Sequence, residues 1–300
     1  MRTTHKHMSC LLAVFLPFLA ESAPPAAEFQ TRVVVSGLTR PTGIVAGGAD
    51  ELYFTEIPNP GTPNAGNAVK MFDLEDCTIT TLHEGEPEPV NIALDCSGQL
   101  YWTCKSAGVI LEQDEDGQTT PVLTGLQKPS GIAVDRWGRI YFTSIPTPGL
   151  PGDKGGANTV AVLGVKGVSV LHTGEPEPQD IAVSRRGELY WTCRTAGVIL
   201  EQNRQGQTSV LLQGLNKPVG IALNRKGDRL YWTELPTPGM SGANGGKNRV
   251  WELNLRTMKR TLVHFGDPEP TDVTVGADGS VYWTCSSAGV IVEAHRRRNH

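Results

Sequence analysis

Three near-copies of one unit, about 90 residues apart, run through this chain and restrict its architecture more than any other feature. Gly37-Leu-Thr-Arg-Pro-Thr-Gly-Ile returns as Gly125-Leu-Gln-Lys-Pro-Ser-Gly-Ile and again as Gly214-Leu-Asn-Lys-Pro-Val-Gly-Ile. Tyr101-Trp-Thr-Cys returns at Tyr190 and Tyr282. One four-stranded propeller blade takes roughly 40–50 residues, so each unit divides into two blades. The odd blade opens with Pro-x-Gly-Ile and the even blade follows Gly-Glu/Asp-Pro-Glu-Pro. Gly, Pro and Asp-Gly turns divide each blade into four short strands. In the fourth blade these are expected near Asp180–Ser184, Glu188–Thr192, Gly197–Gln202 and Thr208–Leu212.

The repeat also predicts how the ring closes. The last blade supplies only three strands, ending with Gly289–Ala294, while an orphan strand, Thr31–Ser36, precedes the first blade. Pairing the two removes the open edge that a sheet ring would otherwise leave. The expected fold is therefore all-β: a six-bladed β-propeller with a pseudo-threefold two-blade repeat, its N-terminal strand closing the last blade.

Before this unit lies a leader. Arg2, His5, Lys6 and His7 are followed by the apolar run Met8–Ala20 and small residues near Ser22, the layout of a secretory signal peptide. Residues 1–22 are read as that signal and 23–300 as a single propeller domain, secreted or in the lumen of the secretory pathway. The apolar run is too short to span a bilayer, and no N-x-[ST] sequon follows it. With 27 Lys and Arg against 31 Asp and Glu, the chain is nearly neutral. Its one basic run, Arg296–Arg298, makes no nucleic-acid footprint.

Tyr-Trp-Thr strands preceded by Gly-Ile-Ala-Val-Asp (131–135) resemble the NHL and YWTD propeller families. The resemblance covers nearly all the mature chain and implies a scaffold, not an activity. The family's Asp at the end of that strand is replaced by Cys104, Cys193 and Cys285 in even blades and by Glu56, Ser144 and Glu234 in odd ones. In this strand order the loop into the innermost strand and the loop after the second strand share one face. That face carries the Glu86-Pro-Glu-Pro89, Glu175-Pro-Glu-Pro178 and Asp267-Pro-Glu-Pro270 loops, and the long inserts Ile57–Asn67, Ile145–Asn158 and Leu235–Asn248. The opposite face has short turns such as Asp135-Arg-Trp-Gly138. Function is expected on the decorated face.

The innermost strands begin with Asn91, Asp180 and Asp272 in even blades, alternating with Gly43, Gly131 and Gly220. Three chemistries suit such a ring: backbone capping, oxygen ligation of Ca²⁺ or Mg²⁺, or a general acid made by crowded carboxyls. His83, His172 and His264 recur on outermost strands, too far apart for a shared metal. Trp102, Trp191 and Trp283 are expected between blades, with one candidate for lining a cavity. The repeated cysteines read as buried small groups, and Cys77 and Cys96 as candidates for a disulfide between adjacent blades. Where the copies disagree, asymmetry enters: Lys105, Arg194 and Ser286, and Glu56, Ser144 and Glu234. Lys105 and Arg194 could donate to an anionic or enol-like oxygen; Glu56 or Glu234 could move a proton.

The triplication, leader and Pro-rich loops also resemble fungal hetero-Diels–Alderases of tropolone–sesquiterpenoid pathways. That resemblance implies a cofactor-free [4+2] cycloaddition between small apolar substrates, a tropolone ortho-quinone methide and a humulene-type alkene. In that reading Lys105, Arg194, Asp180, Asp272, Glu56 and Glu234 act in catalysis, while Asn91, Ser144, Ser286 and the three tryptophans bind substrate. The alternatives are a metal-dependent lactonase using Asn91, Asp180 and Asp272, and a non-catalytic propeller that binds peptide or glycan.

Overall fold

The computed structural model describes residues 28–297, apart from 49, 59, 61–65, 115, 147, 149–156 and 237–246. The proposed signal peptide and most of each long insert lie outside the described residues. Six four-stranded antiparallel sheets form a ring of six blades. No helix among the described residues is long and apolar enough to cross a membrane. The fourth blade comprises Pro178–Val183, Leu189–Cys193, Val198–Gln202 and Thr208–Leu212, within two residues of the sequence expectation. The seam closes as expected: Phe29–Val35 pairs antiparallel with Val290–Arg296, Thr31 facing Ala294 and Val33 facing Val292.

Each blade packs its apolar face on the next. Trp102, Trp191, Trp232 and Trp283 are completely buried between blades, where their large surfaces supply most of the contact. Trp102 lies with Val69, Ile92 and Cys104, and Trp191 with Tyr141, Val160 and Cys193.

Polar groups set the spacing at the hub. Every innermost strand loses register just after its opening proline, as between Pro129 and Ile132 or Pro178 and Ile181. The irregularity leaves an N–H without a ladder partner, and a buried hydroxyl takes it. Thr143 Oγ1 accepts from Gly131 N (2.8 Å), Thr192 Oγ1 from Asp180 N (3.2 Å) and Thr233 Oγ1 from Gly220 N (2.9 Å). Thr192 then donates to the Val219 carbonyl of the next blade (2.6 Å), as Thr103 does to Ser130 and Thr284 to Thr42. The Thr of the Tyr-Trp-Thr motif thus ties its own innermost strand to its neighbour's.

The alternating glycines have a steric cause. A Cβ on Gly131 would lie 2.5 Å from Asp180 Cα, and one on Gly220 2.6 Å from Asp272 Cα. Innermost strands therefore approach closely only where one partner has no side chain.

Replacing Thr192 with Val keeps the shape but strands the Asp180 N–H and the Val219 carbonyl. The expected loss is about 1–3 kcal/mol in urea unfolding, with Thr192→Ser losing less. Equal losses for the two variants would show that packing, not the hydroxyl, matters there.

Candidate functional site

The structure brings Asn91, Asp180 and Asp272 together on the ring axis. Each stands third in its innermost strand and is 5–8% exposed. Asp180 Oδ1 accepts from Ile181 N and Asp272 Oδ1 from Val273 N, both at 2.8 Å. Their other oxygens reach the next blade, accepting from Ile221 N and Ile44 N, also at 2.8 Å. Capping is therefore real, and it doubles as a blade-to-blade tie.

Asn91 breaks the threefold. Its Oδ1 accepts from Ile92 N at 2.6 Å, which fixes the amide orientation, so Nδ2 donates to Asp180 Oδ1 at 2.9 Å. Asp180 and Asp272 are close enough on the axis to influence each other's ionisation. Burial raises the pKa of both, and the neighbouring Asp180 charge raises Asp272 further. Two carboxyls so close in an apolar surrounding hold a proton between them.

Ca²⁺ or Mg²⁺ would need a cage of oxygens, six or more. Here an N–H₂ points at Asp180, its reversal is blocked by the Ile92 N–H, and both carboxyls are capped by backbone donors. The ring fits a shared proton and does not fit a cation. No group of three His, Cys, Asp or Glu with metal-binding geometry occurs among the described residues.

Beyond this ring lies an axial cavity of about 270 Å³. Its walls are the remaining residues of the innermost strands, such as Ile92–Leu94, Ile132–Val134, Ile181–Val183 and Ile221–Leu223, with Thr274 an added hydroxyl. Since these strands run away from the decorated face, the cavity opens at the face with the short turns. The expectation of a hollow beneath the long inserts falls largely outside the described residues. The described cavity lies on the other side of the ring.

The remaining sequence candidates sit elsewhere. Trp102, Trp191 and Trp283 are completely buried between blades, the packing expected of them, and line no part of this cavity. The first acid of each Glu/Asp-Pro-Glu-Pro loop explains the placement in two blades: Glu86 accepts from Trp102 Nε1 (3.1 Å) and Glu175 from Trp191 Nε1 (3.4 Å). His83 stacks on Trp102 at 5.0 Å and bonds Gln113 and Thr119. Burial pushes the Cys104, Cys193 and Cys285 thiols up, which suits inert packing.

Glu56 accepts from Thr39 N (2.7 Å) and pairs with Lys70. Glu234 accepts from Trp232 Nε1 (3.3 Å), and burial raises its pKa. These carboxylates anchor the decorated face. Arg194 is held there by Glu177 (3.2 Å), with Lys105 half-buried and Ser286 and Ser144 buried on the same face. None of them lines the axial cavity. Cys77 and Cys96 form no disulfide: Cys96 Sγ lies against the Arg136 carbonyl of the third blade (3.9 Å), on the side away from Cys77.

A second hub feature has no counterpart in the sequence reading. Arg40, Glu88, Lys128, Glu177, Lys217 and Glu269, each preceding the opening proline of a blade, all have φ between 50° and 60°. Their carbonyls accept from the residue just past the second strand, as Glu177 O does from Arg194 N (3.0 Å). Non-glycine residues avoid this region, so the turn is held by that bond.

No protein-family model matches the chain. It is 25% identical over 271 residues to "Low-density lipoprotein receptor-related protein 1" of Pyricularia oryzae (strain 70-15 / ATCC MYA-4617 / FGSC 8958), covering 77% of this chain and 84% of that protein. Among solved structures, a gluconolactonase from Xanthomonas campestris superposes with a TM-score of 0.68 and 18% identity, over 89% of each chain. Virginiamycin B lyase from Staphylococcus aureus gives 0.57 and 15%, over 89% of this chain and 98% of that one. The chain is a six-bladed β-propeller, similar in sequence to receptor-related repeats and in fold to gluconolactonases.

The shared proton makes stability depend on pH. An unfolded carboxyl ionises near pH 4, whereas burial pushes Asp180 up to about 7. Between these values the native state binds more protons than the unfolded state, so stability falls as pH rises. Tm should therefore drop from pH 5 to pH 8. Asp272 is raised as well, so Asp272→Asn, which copies the tolerated Asn91 arrangement, should lessen that slope, Asp180 keeping the remainder through its own burial. An unchanged slope in the variant would refute the shared proton.

Proposed function

We propose that this is a secreted enzyme acting on a small, largely apolar molecule held in the axial cavity, with the Asp180–Asp272 pair moving its proton. The observation that carries this reading is a pair of buried carboxyls, Asp180 and Asp272, among the residues lining the axial cavity, both pushed towards the protonated form by burial. Two neighbouring buried acids on the axis, beside one amide, make a group that can give and take a proton near neutral pH.

The reaction proposed is the hetero-Diels–Alder addition of a tropolone ortho-quinone methide to a humulene-type alkene. A hydroxymethyl-tropolone would place its side-chain hydroxyl against Asp272 and its ring hydroxyl against Asp180. Asp272 gives its proton to the departing hydroxyl, which leaves as water, while Asp180 takes the ring proton. The quinone methide and alkene then form one C–C and one C–O bond without further loss, and a proton passing from Asp180 to Asp272 resets the pair. Holding both partners in a near-attack pose can contribute about 7–11 kcal/mol. Supporting this reading are the Asp pair and the chain's resemblance to that enzyme group. The similarity to gluconolactonase and lyase folds supports only the broader statement that this scaffold carries enzymes.

Incubating the protein with a hydroxymethyl-tropolone and humulenol should yield a dihydropyran adduct well above the buffer rate. Asp272→Asn should slow the reaction by about a hundredfold, the lower end for general acid catalysis. A precursor with a leaving group that needs no proton should restore most of the rate. A product profile identical to buffer would remove the cycloaddition. An equal loss with both precursors would remove the proton role.

A further inference from the structure

Each blade has two short turns on the face opposite the inserts, one between its first and second strands and one between its third and fourth. In the first and second blades the charged residues exposed at the described turn tips are all acids: Asp50, Glu75, Asp76 and Asp116. In the third, fourth and fifth blades they expose bases: Arg136, Lys166, Arg185, Arg186, Arg225 and Lys226. The acids of these latter turns are withdrawn, Asp135 being buried against Arg139 and Asp228 half-buried beside Asn224. Exposed apolar side chains stand on the same basic turns: Trp137 (53%) under the Arg136 guanidinium, Val165, and Met258 (49%).

Neighbouring blades follow one another around the hub, so the acidic turns of the first two blades and the basic turns of the third to fifth each form a continuous sector, lying across the channel from each other, while the sixth blade exposes both signs, Asp278 with Arg296 and Arg297. A twofold axis lying in this face, perpendicular to the line joining the sectors, lays the acidic sector of one molecule on the basic sector of another, twice. An isologous contact requires such self-complementarity, and exposed Trp and Arg are the side chains that contribute most to contacts of this kind. An anionic surface would instead meet the acidic sector with repulsion.

We propose that this face docks onto the same face of a second copy of the chain, forming a twofold dimer steered by opposed charge sectors. The two axial cavities then face each other across the interface. This assembly is independent of the proposed chemistry.

The test uses sedimentation velocity on the mature chain. Wild type should be dimeric in about 50 mM salt and dissociate at least tenfold more readily in about 500 mM, because exposed charges are screened. The double variant Arg185→Glu, Arg186→Glu and the double variant Glu75→Lys, Asp76→Lys should each be monomeric, with circular dichroism and Tm unchanged. Mixed together they should pair, since every contact then joins opposite signs again. A wild type that stays monomeric, variants that remain dimeric, a mixture that does not pair, or a monomer that instead co-sediments with anionic vesicles would overturn the proposal.

Discussion

The hub of this propeller rests on a hydroxyl. At the bulge where the innermost strand leaves its ladder, a threonine from the second strand receives the stranded N–H in five blades, and in several it hands its own proton to the next blade. Such a bond is worth little net in water but costs much to lose when buried. Repeated around the ring, it ties each sheet to the next alongside the tryptophan packing. The Asp180 and Asp272 caps reach the next blade in the same way, so the candidate site and the scaffold share the same atoms.

That sharing explains why the architecture was legible in the sequence and the site only partly so. Turn residues, strand alternation and the 90-residue period report local geometry, and they placed the strands and the closing seam within two residues. Asn91, Asp180 and Asp272 could be assigned to the axis because each opens an innermost strand opposite a glycine. Choosing between cap, cation and acid needed the Ile92 N–H that orients Asn91, a backbone direction that no residue pattern encodes.

Other candidates are engaged in local bonds. Glu56, Glu234 and Arg194 differ among the copies, and difference suggested function. In the structure these side chains satisfy backbone or indole donors, or pair with neighbours, on the decorated face. The tryptophans looked able to line a cavity because they alternate with tyrosines, yet both residues of each pair pack between blades. Charge on the undecorated face escaped notice because no run of like residues marks it. It emerges only when the ring gathers turns that are 40 or more residues apart in sequence.

The amide at position 91 has a geometric consequence. A hub with three equal carboxyls would present any guest with three interchangeable seats, and a product formed there would carry no memory of which seat was used. With two acids and one amide, rotation by a third of a turn exchanges unlike neighbours, so a bound molecule has a single best azimuth. A triplicated gene can thus acquire handedness at its centre through one changed side chain.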